Sequence, residues 1–285
     1  MKLYSVETGF FKLDGGAMFG VVPKSIWNKL NPADENNLCT WALRCLLIED
    51  DGRLILVDNG IGDKQDAKFF GNYHLHGNDS LDSSLDKLGF SKEDITDVIL
   101  THLHFDHCGG SIIRKGDKLI PAFPNATFWS NERHWKWATE PNDREKASFL
   151  KENILPILDS GKLEMIVVNE EGLTDFTKNI SFRFSFGHTE AMMLPQIQNA
   201  GKTLVYMADL IPSSAHIPMP YVMAYDMFPL TTLLEKKSFL EEAVENDYIL
   251  VFEHDPLIEC CTVHKTDKGI RMKESFTIAS LMESN

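Results

Sequence analysis

The sequence predicts a layered α/β fold in a single domain, and three features of the pattern support this. Apolar runs with strand character alternate with stretches of helical spacing. Four of the strand-like runs end just before histidine or aspartate residues, and ligands of layered α/β proteins bind beyond the carboxyl ends of strands. No Gly/Ser linker, low-complexity tract or short repeat divides the chain, so one domain over 1–285 is expected.

The first half of the chain contains a predicted hairpin, a helix and a strand. The run "TWALRCLLIEDDGRLILVDNG" has two β-rich segments around the turn Asp50-Asp51-Gly52. The run "SLDSSLDKLGF" has helical spacing and ends at Gly89, a residue type that often terminates helices. After "SKED", which has the spacing of a capping box, the strand "ITDVIL" leads into "THLHFDHCGG".

The second half repeats this arrangement of strands that end at polar residues. The strand "ISFRFSF" leads into His188, "KTLVYMA" into Asp209, and "YILVFE" into His254. The helical stretch "LTTLLEKKSFLEEAVEN" lies between the last two strands. These side chains are therefore expected to lie at one edge of a sheet, together with the histidines of the first half.

Composition and charge restrict the classes of partner. With 285 residues, of which 43% are hydrophobic, the chain can bury a sizeable core. The formal charge is 28 − 42 = −14, which repels nucleic acid and anionic lipid, so neither is expected as a partner. The start lacks a long apolar region, and the five cysteines contain no C-x-x-C pair; a cytoplasmic protein with reduced thiols is expected.

The run "THLHFDHCGG" has the composition of a metal site. Alternate residues of an extended backbone share a face, so His102 and His104 can hold one ion together. Asp106 and His107 then need a tight turn, and Gly109-Gly110 is expected to supply its backbone freedom. Imidazole and carboxylate ligands together suit zinc, manganese or iron rather than calcium or magnesium.

The number of candidate ligands predicts two ions. With the other strand-end groups the set has seven members, which are His102, His104, Asp106, His107, His188, Asp209 and His254. Seven ligands are too many for one tetrahedral ion but suit two ions that share a carboxylate and keep positions for water. A lone histidine at a strand end is usually structural, but the H-x-H-x-D-H spacing favours the metal interpretation.

The same residues resemble a known family. The run "THLHFDHCGG" is similar to the H-x-H-x-D-H signature of the metallo-β-lactamase superfamily, and "LVDNGIGD", "FGHTE", "MADLIP" and "FEHDP" resemble its other motifs in order. The segments "GGAMFGVVPKSIW" and "PADENN" resemble the branch with N-acyl-homoserine lactonases and methyl-parathion-type hydrolases. The resemblance implies an αββα sandwich of two similar halves, with the metal site at one sheet edge.

The resemblance also implies a role for each ligand. It assigns His102, His104 and His188 to one ion, Asp106, His107 and His254 to the other, and Asp209 to the bridge. The ions, most simply zinc, with iron or manganese as alternatives, lower the pKa of a shared water, which attacks a carbonyl or phosphoryl centre as hydroxide. The resemblance implies that Asp106 takes the proton of the attacking water and passes it to the leaving oxygen. It also implies that Asp58 orients a ligand histidine.

The function that follows is a dinuclear metal-dependent hydrolase of a small, partly apolar ester or lactone. Alternatives are a phosphotriester hydrolase, a mononuclear iron oxygenase of the persulfide dioxygenase kind, and a non-catalytic metal-binding protein. The chain departs from the family where "GHTEAMMLP" stands for "GHTPGH". A tyrosine that lactonases place shortly after the bridging aspartate is missing after Asp209, and Tyr221 or Tyr225 is a candidate substitute.

A helical, aromatic-rich insert is expected at about 126–160. Its tryptophans Trp129, Trp135 and Trp137 either pack in the core or, with Met18 and Phe19, wall an apolar substrate pocket or a dimer face. A homodimer is therefore left open.

Two other motifs are set aside. The pair His74 and His76 lacks a nearby carboxylate and a preceding strand, so a loop or pocket rim is expected rather than a ligand pair. Cys108 needs no catalytic role if the metals activate water.

Overall fold

The computed structural model describes residues 1–283, which form a mixed α/β protein. The strands are β1 (Lys2–Asp14), β2 (Leu38–Asp50), β3 (Arg53–Val57), β4 (Asp97–Ile99), β5 (Ile112–Lys115), β6 (Lys118–Pro121), β7 (Thr127–Asn131), β8 (Leu163–Ile166), β9 (Thr174–Asp175), β10 (Ile180–Ser185), β11 (Met192–Asn199), β12 (Lys202–Tyr206), β13 (Ile249–Val251), β14 (Cys260–Thr266) and β15 (Gly269–Phe276). The helices are α1 (Gly15–Phe19), α2 (Lys24–Trp27), α3 (Ala67–Tyr73), α4 (Leu81–Leu88), α5 (Phe105–Cys108), α6 (Glu132–Thr139), α7 (Lys151–Asp159), α8 (Pro229–Glu245) and α9 (Ile278–Glu283).

The chain divides into two compact units. The first unit contains Met1–Gly9 and Leu43–Glu170, and the second contains Phe10–Ala42 and the chain from Glu171 onward. A six-stranded sheet of order β1-β2-β3-β4-β7-β8 belongs mainly to the first unit, and a seven-stranded sheet of order β15-β14-β13-β12-β11-β10-β9 belongs to the second. The predicted α/β class is thus confirmed.

The predicted hairpin of the first unit is present. Strands β2 and β3 pair antiparallel from Leu46 opposite Val57 to Asp50 opposite Arg53, which leaves a two-residue turn. Both turn residues, Asp51 and Gly52, have positive φ, as the favoured type I′ hairpin turn requires. Strands β3, β4, β7 and β8 run parallel, so the residues that follow β3 and β4 lie at one edge of the sheet.

The segment expected as a helical insert differs from the prediction. It begins with strand β7, which lies between β4 and β8 within the sheet, and only α6 and α7 are helical. The sequence "TFWSN" alternates buried and less buried residues, because Phe128 faces the core while Trp129 points the other way. A five-residue strand next to a helix has too short an alternation to be recognised from the sequence.

A large apolar core supports the first unit. Leu56, Val98, Leu100 and Phe128 belong to one buried cluster with α4 and α7. Each such side chain stabilises the fold by about 1.5–3 kcal/mol relative to an exposed one, which anchors the loop after β4. Helix α4 ends at Gly89 in the left-handed conformation, as the sequence predicts. The capping box of this region lies at Ser80, the start of α4, and not at the predicted run from Ser91 to Asp94, which forms a turn.

Three strands of the second unit end at the same edge of the seven-stranded sheet. Strand β11 pairs antiparallel with both β10 and β12, and β12 pairs parallel with β13, so β10, β12 and β13 point the same way. His188, Asp209 and His254 follow these strands and lie at the same sheet edge, as predicted. Among residues 1–283 no helix has the length and hydrophobicity that a membrane span needs.

Candidate metal centre

In the first unit, the candidate ligand residues lie on the loop after β4 and on α5. His102 and His107 are fully buried, and His104 and Asp106 keep only 7% of their surface exposed. The His102 Nε2 and His104 Nδ1 atoms are 3.0 Å apart, as the shared face of alternate residues predicts. Three imidazoles and one carboxylate are thus buried within six consecutive positions, where the dielectric constant is low.

The hydrogen-bond network assigns the protons of the first two histidines. The Thr101 hydroxyl donates to Asp58, so its oxygen accepts from His102 Nδ1. A Glu145 oxygen lies 2.9 Å from His104 Nε2, and a carboxylate only accepts, so this nitrogen carries a proton. In the neutral rings the two nitrogens that face each other therefore both present lone pairs, which a cation would bring together. This donor set fits a metal ion.

Asp58 organises the same region from the loop after β3. Its carboxylate accepts from the Thr101 backbone and hydroxyl at 2.8 and 2.6 Å, and its Oδ2 lies 3.1 Å from His107 Nδ1. Asp58 itself has a left-handed backbone with φ 55°, a strained conformation that functional sites often retain. The structure therefore places Asp58 where the sequence analysis expects it, against a predicted ligand histidine.

The two glycines after His107 serve a purpose other than the expected one. Gly109 has φ −61°, an ordinary helical value, so no unusual backbone freedom is used there. A Cβ on Gly109 would lie 2.1 Å from the Ile61 carbonyl oxygen, and one on Gly110 would lie 2.2 Å from that of Asn59. The expectation of backbone freedom is corrected: the glycines allow the loop after β3 to approach closely.

In the second unit, Asp209 lies between two histidines. Its Oδ2 is 3.0 Å from His188 Nε2, and its Oδ1 is 3.3 Å from His254 Nε2. Burial lowers the pKa of His188, but the carboxylates of Asp209 and Asp226 outweigh it and raise the pKa to about 10. One carboxylate that faces two imidazoles with different oxygens has the geometry of a bridging ligand.

Each of the five histidines is held at its other ring nitrogen. The partners, in chain order, are Thr101 for His102, Glu145 for His104, Asp58 for His107, Asp226 for His188 and the Ala42 carbonyl for His254. Metal-binding histidines usually donate their second N–H to such a partner, which sets the tautomer and ring orientation. Within each unit, the candidate ligand histidines are therefore held in the way that metal-binding histidines usually are.

Sequence reasoning missed Glu145 and Asp226. Glu145 lies on the segment before α7 and also accepts from the Trp137 indole at 2.6 Å. Asp226 lies in the loop before α8 and accepts from His188 Nδ1 at 2.8 Å. Neither has a motif neighbour, and only their burial, at 2% and 1% exposure, sets them apart from solvated acidic residues.

The predicted pocket residues occupy different environments. Met18 and Phe19 are buried, and Phe19 stacks between Trp27 and His216 with ring centroids 5.2 and 4.7 Å apart. Trp129 donates to Asp97, the first residue of β4, whereas the ligand loop follows the other end of that strand. This contact disfavours Trp129 as a pocket residue.

The remaining pocket candidates stay predictions. Trp135 is buried at 9% exposure, Tyr221 makes an edge contact with Phe19, and 38% of the Tyr225 surface is exposed.

The His74 and His76 pair and Cys108, which the sequence analysis set aside, lie in environments that do not suggest a catalytic role. His74 ends α3 in the left-handed conformation, and His76 Nδ1 contacts the His74 carbonyl at 2.9 Å. Both are exposed, and the groups of potential metal ligands found within residues 1–283 do not include them. Burial raises the pKa of the Cys108 thiol to about 12, so this thiol stays protonated at neutral pH.

The fold and the candidate ligand positions are typical of one class of protein. Residues 44–254 match the metallo-beta-lactamase superfamily, and the chain belongs to this superfamily. It is a metal-dependent hydrolase, related to N-acyl homoserine lactonases at low identity.

Two curated relatives are lactonases from Bacillus. An N-acyl homoserine lactonase of Bacillus cereus is 29% identical over 167 residues, which cover 55% of this chain and 57% of that protein. One from Bacillus thuringiensis is 23% identical over 267 residues, 89% of this chain and 93% of that protein. The chain thus spans little more than half of the first relative and nearly all of the second.

Solved structures have the same fold. A structure described as a probable metal-dependent hydrolase from Staphylococcus aureus has a TM-score of 0.87 at 28% identity and covers 96% of both chains. AidC, described as a dizinc quorum-quenching lactonase in complex with a product, has a TM-score of 0.76 at 24% identity, with 96% and 95% coverage. The second likeness supports the fold alone.

Proposed function

We propose that the protein is a dinuclear metal-dependent hydrolase that opens a small, partly apolar lactone, of the N-acyl homoserine lactone kind. The observation that carries the proposal is the arrangement of the five imidazoles, each held at one nitrogen with the other directed toward a further ligand-type side chain. Relatives named as lactonases at 23–29% identity support the substrate class.

The proposal assigns all seven ligands. By the resemblance to the superfamily, we assign His102, His104, His188 and Asp209 to one ion, and Asp106, His107 and His254 to the other; all seven side chains are buried. Asp209 would be the ligand that both ions share, because its two oxygens face different histidines. Zinc is the proposed ion, since imidazole and carboxylate ligands with open positions suit it.

When bound, the ions would supply Lewis acidity and lower the pKa of an attacking water. The chain itself supplies proton transfer and orientation. The Asp106 carboxylate, 3.9 Å from His107 Nε2 and slightly exposed, takes the proton of the attacking water and passes it to the leaving oxygen. Asp58 holds His107 in one orientation through Nδ1, so the carboxylate and imidazole keep their relative positions.

A metal-defined hydrolysis panel tests the function. The protein is stripped with a chelator, reconstituted with zinc, manganese or iron, and assayed on N-acyl homoserine lactones of several lengths, aryl esters, phosphotriesters, phosphodiesters and β-lactams. Metal-dependent lactone opening is the expected result. Preference for phosphotriesters would instead assign the site to that chemistry, and inactivity with all substrates after full reconstitution would refute hydrolysis of these classes.

A further inference from the structure

Two consecutive residues of α8 contact the turn before His188 and the loop that carries its partner Asp226. Glu235 and Lys236 lie about 100° apart around the helix, so their side chains reach different loops. Glu235 is partly buried, whereas Lys236 is completely buried. The buried Lys236 ammonium in particular needs specific partners, because burial of a charge without them would cost several kcal/mol.

Glu235 holds the turn that leads into His188. Its carboxylate accepts from the Ser185 hydroxyl at 2.7 Å, from the Phe186 N–H at 2.8 Å and from the Gly187 N–H at 3.2 Å. Burial raises the pKa of Glu235, and these donors oppose that shift. Three donors on one carboxylate set the backbone direction just before the imidazole.

The start of α8 also lies against this turn. A Cβ on Gly187 would be 2.2 Å from the Thr232 hydroxyl oxygen, so only glycine permits the approach. The Phe228 N–H donates to the Gly187 carbonyl, and the Met227 N–H donates to the His188 carbonyl. The helix and the His188 turn thus form one hydrogen-bonded body.

Lys236 holds the loop that carries Asp226. Its ammonium donates to the carbonyls of Pro218 and Tyr221 at 2.9 Å each, with Met219 at 3.5 Å. Burial lowers the pKa of Lys236 to about 7, and the Asp226 carboxylate opposes this shift. Asp226 follows Tyr221 by five positions, and its carboxylate accepts from His188 Nδ1.

We propose that Glu235 and Lys236 together are positioning residues for His188. Glu235 orients the backbone that carries the imidazole, and Lys236 orients the loop whose Asp226 carboxylate holds the imidazole ring. The role in metal binding rests on the proposed function, because it treats His188 as a ligand. The orientation of the ring does not, and it can be measured without metal.

Four variants test the proposal. E235Q keeps the shape of the side chain but loses its charge, and K236M keeps an apolar stem but loses three hydrogen bonds. K237M changes the exposed neighbouring lysine, and L240A removes a fully buried leucine of the same helix. L240A is the control for general destabilisation, because large-to-small core changes weaken folding and a leucine side chain makes none of the hydrogen bonds of Glu235 or Lys236.

The first measurement is solvent exchange of the His188 Nδ1–H in the metal-free protein, followed by NMR. We expect exchange to be at least tenfold faster in E235Q and K236M, and unchanged in K237M and L240A under conditions where all four remain folded. Equal protection in all variants, or the same acceleration in L240A, would overturn the positioning role.

The second measurement is zinc affinity by competition with a chelator. E235Q and K236M should bind one of the two ions about tenfold more weakly, as loss of a partner of a ligand typically does, whereas K237M should match the wild type. If the wild type binds no zinc, the proposed function fails while the exchange result still decides the positioning role. Unchanged zinc affinity in both variants would refute the effect on the ligand.

Discussion

The Nε2 atom of His104 lies 2.9 Å from a carboxylate oxygen of Glu145, 41 positions further along the chain. The same carboxylate accepts from the Trp137 indole and from the Asn142 side chain. These two hydrogen bonds orient the Glu145 carboxylate toward the imidazole. The aromatic segment between β7 and α7 thus contributes to the candidate metal centre through a hydrogen bond to one of its histidines.

We expect E145Q to bind one metal ion 10–100-fold more weakly than the wild type, because a glutamine can turn its amide toward His104 and disturb the assigned tautomer. Chelator competition measures the affinity. E140Q, a change of an acidic residue at the end of α6, is the control and should leave it unchanged. Unaltered affinity in E145Q would show that Glu145 is only structural.

Metal content tests the ligand set directly. The purified wild type should hold about two transition-metal ions per chain after reconstitution, by elemental analysis. D209A should lose metal and activity together, because the proposed bridge is shared. H74A and H76A should keep the wild-type content, since both histidines are exposed. Loss of an ion in either would restore the H-x-H pair as a ligand motif.

The close approach of two loops predicts the cost of a single methyl group. G110A should lower the free energy of unfolding by about 1–3 kcal/mol, because its Cβ would meet the Asn59 carbonyl and the backbone must shift. Thermal or denaturant unfolding measures the change. G71A, where a Cβ on α3 meets nothing within 4 Å, should be neutral or slightly stabilising. Equal effects would contradict the packing argument.

His216 predicts a pH dependence of stability. Burial lowers the pKa of His216 to about 3, with its ring stacked on Phe19. Below pH 6.5 the His216 side chain of the unfolded chain binds a proton that the folded chain does not bind. The free energy of unfolding therefore decreases as the pH falls. Relative to H216Q, the wild type should lose up to about 1.4 kcal/mol of unfolding free energy per pH unit below 6.5.

Denaturant unfolding of both proteins at several values between pH 7 and pH 5 gives this difference. Metal ligands titrate in both proteins, so their effect cancels. A constant difference over this range would show that His216 binds a proton in the folded protein as readily as in the unfolded chain.

The pocket wall, rather than the metals, should determine substrate preference. Apolar contact in a pocket is worth about 1–3 kcal/mol per methylene, so longer acyl chains should be better substrates of the wild type. If Tyr225 lies in the wall, Y225A should lower kcat/KM for long-chain lactones about tenfold more than for short ones.

Y225F separates the ring from the hydroxyl, and L257A changes an exposed leucine as a control. Equal losses across chain lengths would remove Tyr225 from the wall. A wild type without length dependence would remove the apolar pocket itself.

Short sequence patterns were enough to predict the elements whose structure depends on neighbouring residues. The hairpin turn that contains Asp51-Gly52, the end of α4 at Gly89 and the strands that lead into the candidate ligands were predictable from turn chemistry, helix-stop signals and periodicity. The ligand cluster from His102 to His107 was also recognisable, because its spacing and its place after a strand are local properties. The sequence alone therefore determined the fold class and the chemistry of the candidate ligands.

Only the tertiary structure decided which groups hold those ligands in place. Glu145 and Asp226 lie 41 and 38 positions from the histidines they contact, with no periodicity to connect them. Position 109 needs a glycine because the Ile61 carbonyl of another loop approaches it closely. The segment of β7 forms a strand because it pairs with β4 on one side and β8 on the other. Such contacts depend on where the folded backbone brings distant segments, and a hydrogen bond of that kind leaves no pattern in the neighbouring sequence.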